Sequence, residues 1–151
     1  MDYRQIIQAV FDDLGEGKKM VLATSANDEV SARTMSIIIH EGKFYFQTGV
    51  TMSKSSDIAV NNKVALCVNE TSIMGVCREI GRPSDTNNAW FLRKFSTHFT
   101  SAALKYSYLE YERLFEMIPM KIKIWKSKGD TPGIVHIDCV KGICWLEELV
   151  L

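Results

Sequence analysis

Charge of one sign is the first thing this sequence lacks. Its 151 residues carry 18 Lys or Arg and 18 Asp or Glu, a formal net charge of zero. A balanced chain has no long-range pull toward nucleic acid or an anionic membrane surface. Long apolar runs are missing too, since none approaches the ~20 residues that a bilayer span needs. The first residues, MDYRQIIQAV, are acidic and polar where a secretory signal is basic and then apolar. A cytoplasmic location is the resulting expectation. The four cysteines, Cys67, Cys77, Cys139 and Cys144, form no CxxC pair. A disulfide framework is not expected in a cytosolic chain of this length. His136, Cys139 and Cys144 lie close together, but their spacing fits no common zinc pattern and offers no fourth ligand. They read as ordinary half-buried residues, and no metal is expected. Internal repeats, low-complexity segments and linkers are also absent, so residues 1–151 are expected to form one domain.

What the chain does have is a core. It is 46% hydrophobic and 24% charged, the balance of an ordinary globular protein. Ile6, Ile7, Val10, Phe11 and Leu14 recur at helical spacing, which predicts a helix over 3–14. Gly15 and Gly17 should end it, with Lys18 and Lys19 at its C-terminus. MVLATS (20–25) predicts a short strand, and Asn27-Asp28 a turn. Val30 to His40 is long, β-branched and mostly apolar, as a strand buried on both sides would be. Glu41-Gly42-Lys43 predicts a hairpin returning through Lys43 to Thr48. Thr51 or Ser53 is placed to cap a helix running to about Val60, stopped by Asn61-Asn62. KVALCVNE and SIMGVCREIGRP follow as strands, with Gly75 and Gly81 suggesting a bulge or a close backbone approach. Ser84-Asp85 should cap a helical region. Aromatic spacing from Ala89 to Met117 predicts two helices divided at STHFTS, the second ended by Pro119. MKIKIW and IVHIDCV are expected strands with KGDTPG as a loop between them, and Ile143 to Leu149 a final short strand or extended tail. The sum is a mainly β chain with peripheral helices, a six- or seven-stranded antiparallel barrel.

The chemistry concentrates in SARTMSIIIHEGKFYFQTGVTMSKSSD, from Ser31 to Asp57. This hairpin and helix start bring Arg33, Lys54 and several hydroxyls toward one region. Arginine offers a forked donor, lysine a point charge, and a helix N-terminus free N–H groups. Together these suit a phosphate. The competing reading is a serine-rich N-cap with solvated neighbours, and Arg33 as a surface charge.

The order of these segments resembles the FMN-binding split barrel of the pyridoxamine 5′-phosphate oxidase family. It is most similar to the small bacterial general-stress and nitroimidazole-resistance-like members. The resemblance rests on the leading helix, MVLATS, Arg33-Thr34-Met35-Ser36, GKFYFQTG, SKSSDI, NNKVALCV, the strand with Gly75, and KIKIW. It implies that Arg33 binds the FMN phosphate and that the backbone from Thr34 to Ile38, including Met35 and Ser36, follows the flavin ring. Gln47 and Thr48 would lie near the phosphate and ribityl chain. Ser53 and Lys54 match a phosphate-binding Arg-Lys pair, with serine replacing its first cation. The resemblance further implies a homodimer with the flavin at its interface. Trp90, Phe95, Phe99 and Trp145 then stand either in the cleft or, as ordinary aromatics, in the core or dimer packing.

True pyridoxamine phosphate oxidases end in an arginine-containing substrate motif, whereas this sequence has no arginine after Arg113. Oxidation of vitamin B6 is therefore not expected. The resemblance instead implies an FMN-dependent oxidoreductase acting on a small molecule, with NAD(P)H as donor. The alternative is a non-catalytic barrel carrying or sensing haem, deazaflavin or flavin. His40, His98 and His136 are each expected to be structural or solvated rather than acid–base groups. In flavin chemistry the cofactor carries the hard step, so a missing catalytic base is no objection.

Overall fold

A computed structural model describes residues 1–128 and 131–150. The chain runs α1 (Tyr3–Leu14), β1 (Gly17–Ala26), β2 (Glu29–His40), β3 (Lys43–Gly49), α2 (Ser53–Val60), β4 (Lys63–Val68) and β5 (Thr71–Glu79). A short 3₁₀ turn (Thr86–Asn88), α3 (Ala89–His98) and α4 (Thr100–Tyr106) follow. The chain then finishes through β6 (Glu112–Lys128), β7 (Thr131–Asp138) and β8 (Ile143–Glu148). The strands lie in the order β3-β2-β1-β4-β5-β6-β7-β8, and β3 also pairs with β6. That extra pairing closes six antiparallel strands into a barrel, with β7 and β8 as an extension. The expected mainly β barrel with peripheral helices is the fold observed.

Turn chemistry sets the early register. Asn27 and Asp28 both have positive φ (53° and 65°), as do Glu41 and Gly42 (50° and 73°). Two left-handed residues in succession make the tight hairpin whose twist matches its strands. Inside the barrel, Met20, Leu22, Ile37, Phe44, Phe46, Leu66, Ile73, Phe115, Met117 and Ile122 pack as one cluster, joined by Val10 and Leu14 of α1 and Ile58 of α2. A second cluster lies outside the barrel wall. There Ile38, Tyr45 and Leu114 meet Phe91, Phe95 and Ala103 of α3 and α4.

Several expectations are corrected. Lys18 and Lys19 belong to β1, which begins at Gly17, rather than to the end of α1. Met52, not Thr51 or Ser53, occupies the cap position of α2, and no side chain caps it. The second expected helix ends early. Residues 112–117, and Pro119 after them, lie in β6. The cause is burial on two faces: Phe115 and Met117 point into the barrel while Leu114 packs under the helices. A strand apolar on both faces loses its alternation and mimics a helical period. The tip of the expected KGDTPG loop, residues 129–130, lies outside the described residues.

β2 is also not buried on both sides throughout. Only Ile37, Ile38 and Ile39 are buried, and residues 29–32 are exposed. The reason is local pairing. β1 accompanies β2 along its length, but β3 pairs with it only at Ile38↔Tyr45, Ile39↔Phe44 and His40↔Lys43. β3 then turns to β6, pairing Phe44 through Gly49 with Met117 through Glu112. The barrel is split between β2 and β3.

Gly75 behaves as its position in the sequence suggests. The register against β6 shifts between Met74, paired with Lys121, and Gly75, paired with Pro119. Met120 is the extra residue, and its carbonyl accepts the Cys139 N–H at 2.9 Å. This bulge is where β6 exchanges β3 for β7 as its neighbour.

Candidate functional site

A cleft of about 800 Å³ opens at the split. Thr34 and Met35 form its β2 wall, Gln47, Thr48 and Gly49 its β3 wall, and Thr51, Met52 and Lys54 the start of α2. The far side is covered by Tyr106 at the end of α4, by Leu109, Glu110 and Tyr111 of the segment after it, and by Glu112 at the start of β6. Between Thr34 and Ile37, the edge of β2 that faces β3 has no strand partner among the described residues. Backbone donors and acceptors on that edge are left for another partner.

Arg33 points to the barrel side of β2 and is pinned there. Its Nη1 donates to Thr24 Oγ1 at 2.9 Å and to the Leu22 carbonyl at 3.3 Å. Thr24 Oγ1 in turn donates to Asp57 Oδ2 of α2 at 2.9 Å. This chain ties β1, β2 and α2 together and, among the described residues, leaves most of the guanidinium fork unused. Lys54 stands near enough that burial first, and the Arg33 charge second, lower its pKa, with Glu112 opposing. Among the described residues, neither cation has a carboxylate within ion-pair distance.

The sequence-predicted residues thus divide by place. Thr34, Met35, Gln47, Thr48 and Lys54 line the cleft, and Arg33 flanks it through Lys54. Ser36 and Ser53 do not line it, and Ser53 is exposed. Ser55 donates its hydroxyl to the Gly49 carbonyl at 2.7 Å, fixing the turn before α2 rather than facing a ligand. The aromatics considered for the cleft lie elsewhere. Phe95 is core, Trp90 stacks on His40 at 4.4 Å, and Trp145 stacks on His136 at 5.1 Å. His98 contacts Glu16 at 3.1 Å, away from the cleft.

Sequence reasoning missed Glu112. Its side chain is 7% exposed, and burial raises its pKa against the opposing effects of Lys54 and a hydrogen bond with Gln47. Ser107, fully buried, donates to Gln47 Oε1 at 2.7 Å. That bond assigns the Gln47 oxygen to Ser107 and leaves its NH₂ for Glu112. Arg82 steadies the covering segment, donating from Nη2 to the carbonyls of Tyr108 and Leu109 at 3.4 and 3.3 Å.

No family model and no curated protein matches this chain. Solved structures do. General stress protein 26 from Bacillus anthracis is 18% identical, with a TM-score of 0.61 over 81% of this chain and 92% of its own. A pyridoxamine 5′-phosphate oxidase-related, FMN-binding protein from Nostoc punctiforme is 14% identical, with a TM-score of 0.58 over 99% of this chain and 92% of its own. HutZ, the heme storage protein from Vibrio cholerae, is 14% identical, with a TM-score of 0.61 over 85% of this chain and 93% of its own. At these identities the likeness is one of architecture, and the chain has the split-barrel fold of the pyridoxamine 5′-phosphate oxidase-like proteins.

Proposed function

We propose that this chain is an FMN-binding flavoprotein that reduces a small molecule with NAD(P)H as donor, acting in the cytoplasm as a homodimer with the cofactor at the interface. The observation that carries this reading is the approach of Arg33 and Lys54 beside a cleft, with no carboxylate within ion-pair distance of either among the described residues. Two like charges held together under partial burial are relieved by an anion.

The residues fit a phosphorylated flavin in three respects. The cleft is in the size range of cofactor sites. Its cations meet near the first turn of α2, where free N–H groups add to the attraction for a phosphate. The unpaired edge of β2 offers hydrogen bonds to the polar edge of a ring, and Met35, Met52 and Leu109 offer an apolar wall. Arg33 and Lys54 would hold the phosphate, and Thr34, Gln47 and Thr48 the ribityl hydroxyls. When bound, the flavin supplies hydride transfer, and these residues supply placement and electrostatics.

An absorbance spectrum of freshly purified protein tests the proposal, followed by FMN titration and reduction by NADH or NADPH. Flavin absorbance, or uptake of added FMN at micromolar concentration, is the expected result. Colourless protein that takes up no FMN rejects it. A second reading is a non-catalytic cofactor carrier on the same barrel. It is supported by the heme storage protein, whose TM-score equals that of the general stress protein. A haem spectrum, or bound flavin that no nicotinamide reduces, favours the carrier.

A further inference from the structure

A phosphate site has no evident use for a carboxylate, yet Glu112 is built into this one. It is held from three sides. Its strand pairs it with Gly49 of β3, and its carboxyl lies close enough to the Gln47 amide and to Lys54 of α2 for both to act on it. The remaining charged groups are accounted for. Arg33 of β2 stands by Lys54, and Asp57 of α2 is engaged by Thr24. Arg113 donates its Nη1 to the backbone carbonyls of Glu110 and Glu112, and its Nε lies 3.7 Å from Glu79. Glu110 lines the cleft on the covering segment, with Tyr106 and Tyr111.

We infer that Glu112 is the internal counter-charge of the anion site: it balances Lys54 while the cleft is empty and takes up a proton from solvent when a phosphate ester binds. This rests on the flavin-phosphate reading above. A phosphate and an ionised, buried carboxylate sharing one cation repel each other where solvent screening is weak. The neutral acid removes that repulsion. It can donate its O–H to a phosphate oxygen while its other oxygen stays an acceptor for the nearby Gln47 amide. Burial already biases the carboxyl toward this neutral form. Ligands with a phosphate should therefore bind with proton uptake, and the phosphate-free riboflavin without it.

The test is calorimetry of FMN binding in phosphate-free buffers of different ionisation enthalpy, on the wild type and on Glu112→Gln. The phosphate's own titration, near pH 6, is common to both proteins and cancels in their difference. The wild type should take up about one proton more than E112Q, and its Kd should rise about tenfold per pH unit above the free carboxyl's pKa. E112Q should bind FMN about tenfold more tightly than the wild type near pH 8. Should E112Q not fold, the wild type alone decides, because the phosphate is already a dianion near pH 8. Uptake of about one proton there supports the inference, and no uptake overturns it. Equal proton counts in the two proteins, or weaker binding by E112Q, also overturn it while leaving the flavin reading intact. If neither protein binds FMN, both readings fall.

Discussion

Arg33 is useful because it is only partly satisfied. Thr24 and the Leu22 carbonyl fix one nitrogen, so the fork arrives beside Lys54 already oriented, with little rotamer freedom left to lose on binding. A charge-assisted hydrogen bond contributes about 1.5–3 kcal/mol. Arg33→Ala or Lys54→Ala should thus weaken FMN binding about 10- to 100-fold each, and the pair should abolish it. Flavin fluorescence quenching measures this, and unchanged affinity in the double variant would move the phosphate elsewhere. These two cations were readable in the sequence because each sits at a recognisable place, Arg33 within the long β-branched strand pattern and Lys54 at a helix opening. Glu112 was not. It lies in YLEYERLF, a stretch whose aromatic spacing suits a helix, and only the pairing of β6 with β3 brings it to the cleft. The serines failed as guides for another reason. By sequence a hydroxyl at a helix start suits a ligand and a carbonyl equally well, and Ser55 faces the Gly49 carbonyl.

Among the elements, β6 organises the rest. One edge follows β5, while the other serves β3 and then β7, with the changeover at the Met120 bulge. Gly75 permits this. A Cβ there would lie 2.2 Å from the Ile118 carbonyl oxygen and 2.8 Å from the Met117 side chain. Met117 can yield, but the carbonyl is part of the strand ladder and cannot. Gly75→Ala should therefore destabilise the fold by about 3 kcal/mol or more, read as a lower urea midpoint. A midpoint within error of the wild type would mean that the strand accommodates the methyl by sliding. Local punctuation made this element order largely legible: the Asn27-Asp28 and Glu41-Gly42 turns, the Asn61-Asn62 stop and the Gly75 irregularity all mark true boundaries or bends. What failed was any inference that needed to know a neighbour. β2 reads as buried on both sides, yet its first half is exposed because β3 leaves it, and no residue of β2 itself encodes that departure.

At the scale of the molecule, two surfaces and one closure matter. The outer face of β2, β1, β4 and β5 is apolar around a hollow of about 460 Å³ that includes Ala23, Val30, Ala65 and Met74. Val30 is 76% and Met74 44% exposed. Alternation along β2 puts Thr34 of the cleft on the same face as Val30, so a second copy seated there would border the cleft. Light scattering should report a dimer, and Met74→Glu should yield a monomer with weakened FMN binding; a wild-type monomer that binds FMN would remove the dimer from the proposal. The closure is electrostatic as well as apolar. Where β3 pairs with β6, Tyr45 donates to Glu116 Oε2 and Arg78 Nε to Glu116 Oε1, each at 2.9 Å. Burial pushes the Glu116 carboxyl upward, but those two bonds and Lys43 outweigh it, and its pKa falls below the usual carboxylate value. A lowered folded-state pKa means stability that is present above the unfolded carboxylate range, near pH 4.3, and lost as pH drops through the folded value. Glu112 has the opposite sign. Its raised pKa gives stability that is complete below the unfolded value and lost as pH rises through the folded one. The two buried acids of β6 thus pull the acid limb of the stability curve in opposite directions. Relative to wild type, Glu116→Gln should be less stable at neutral pH and Glu112→Gln more stable; the Glu112→Gln difference should be gone by the time the pH has fallen to about 4, whereas the Glu116→Gln difference should shrink below that. Urea midpoints from about pH 3 to 8 decide the matter without any ligand, and shifts of the same sign in the two variants would show that burial does not govern Glu112.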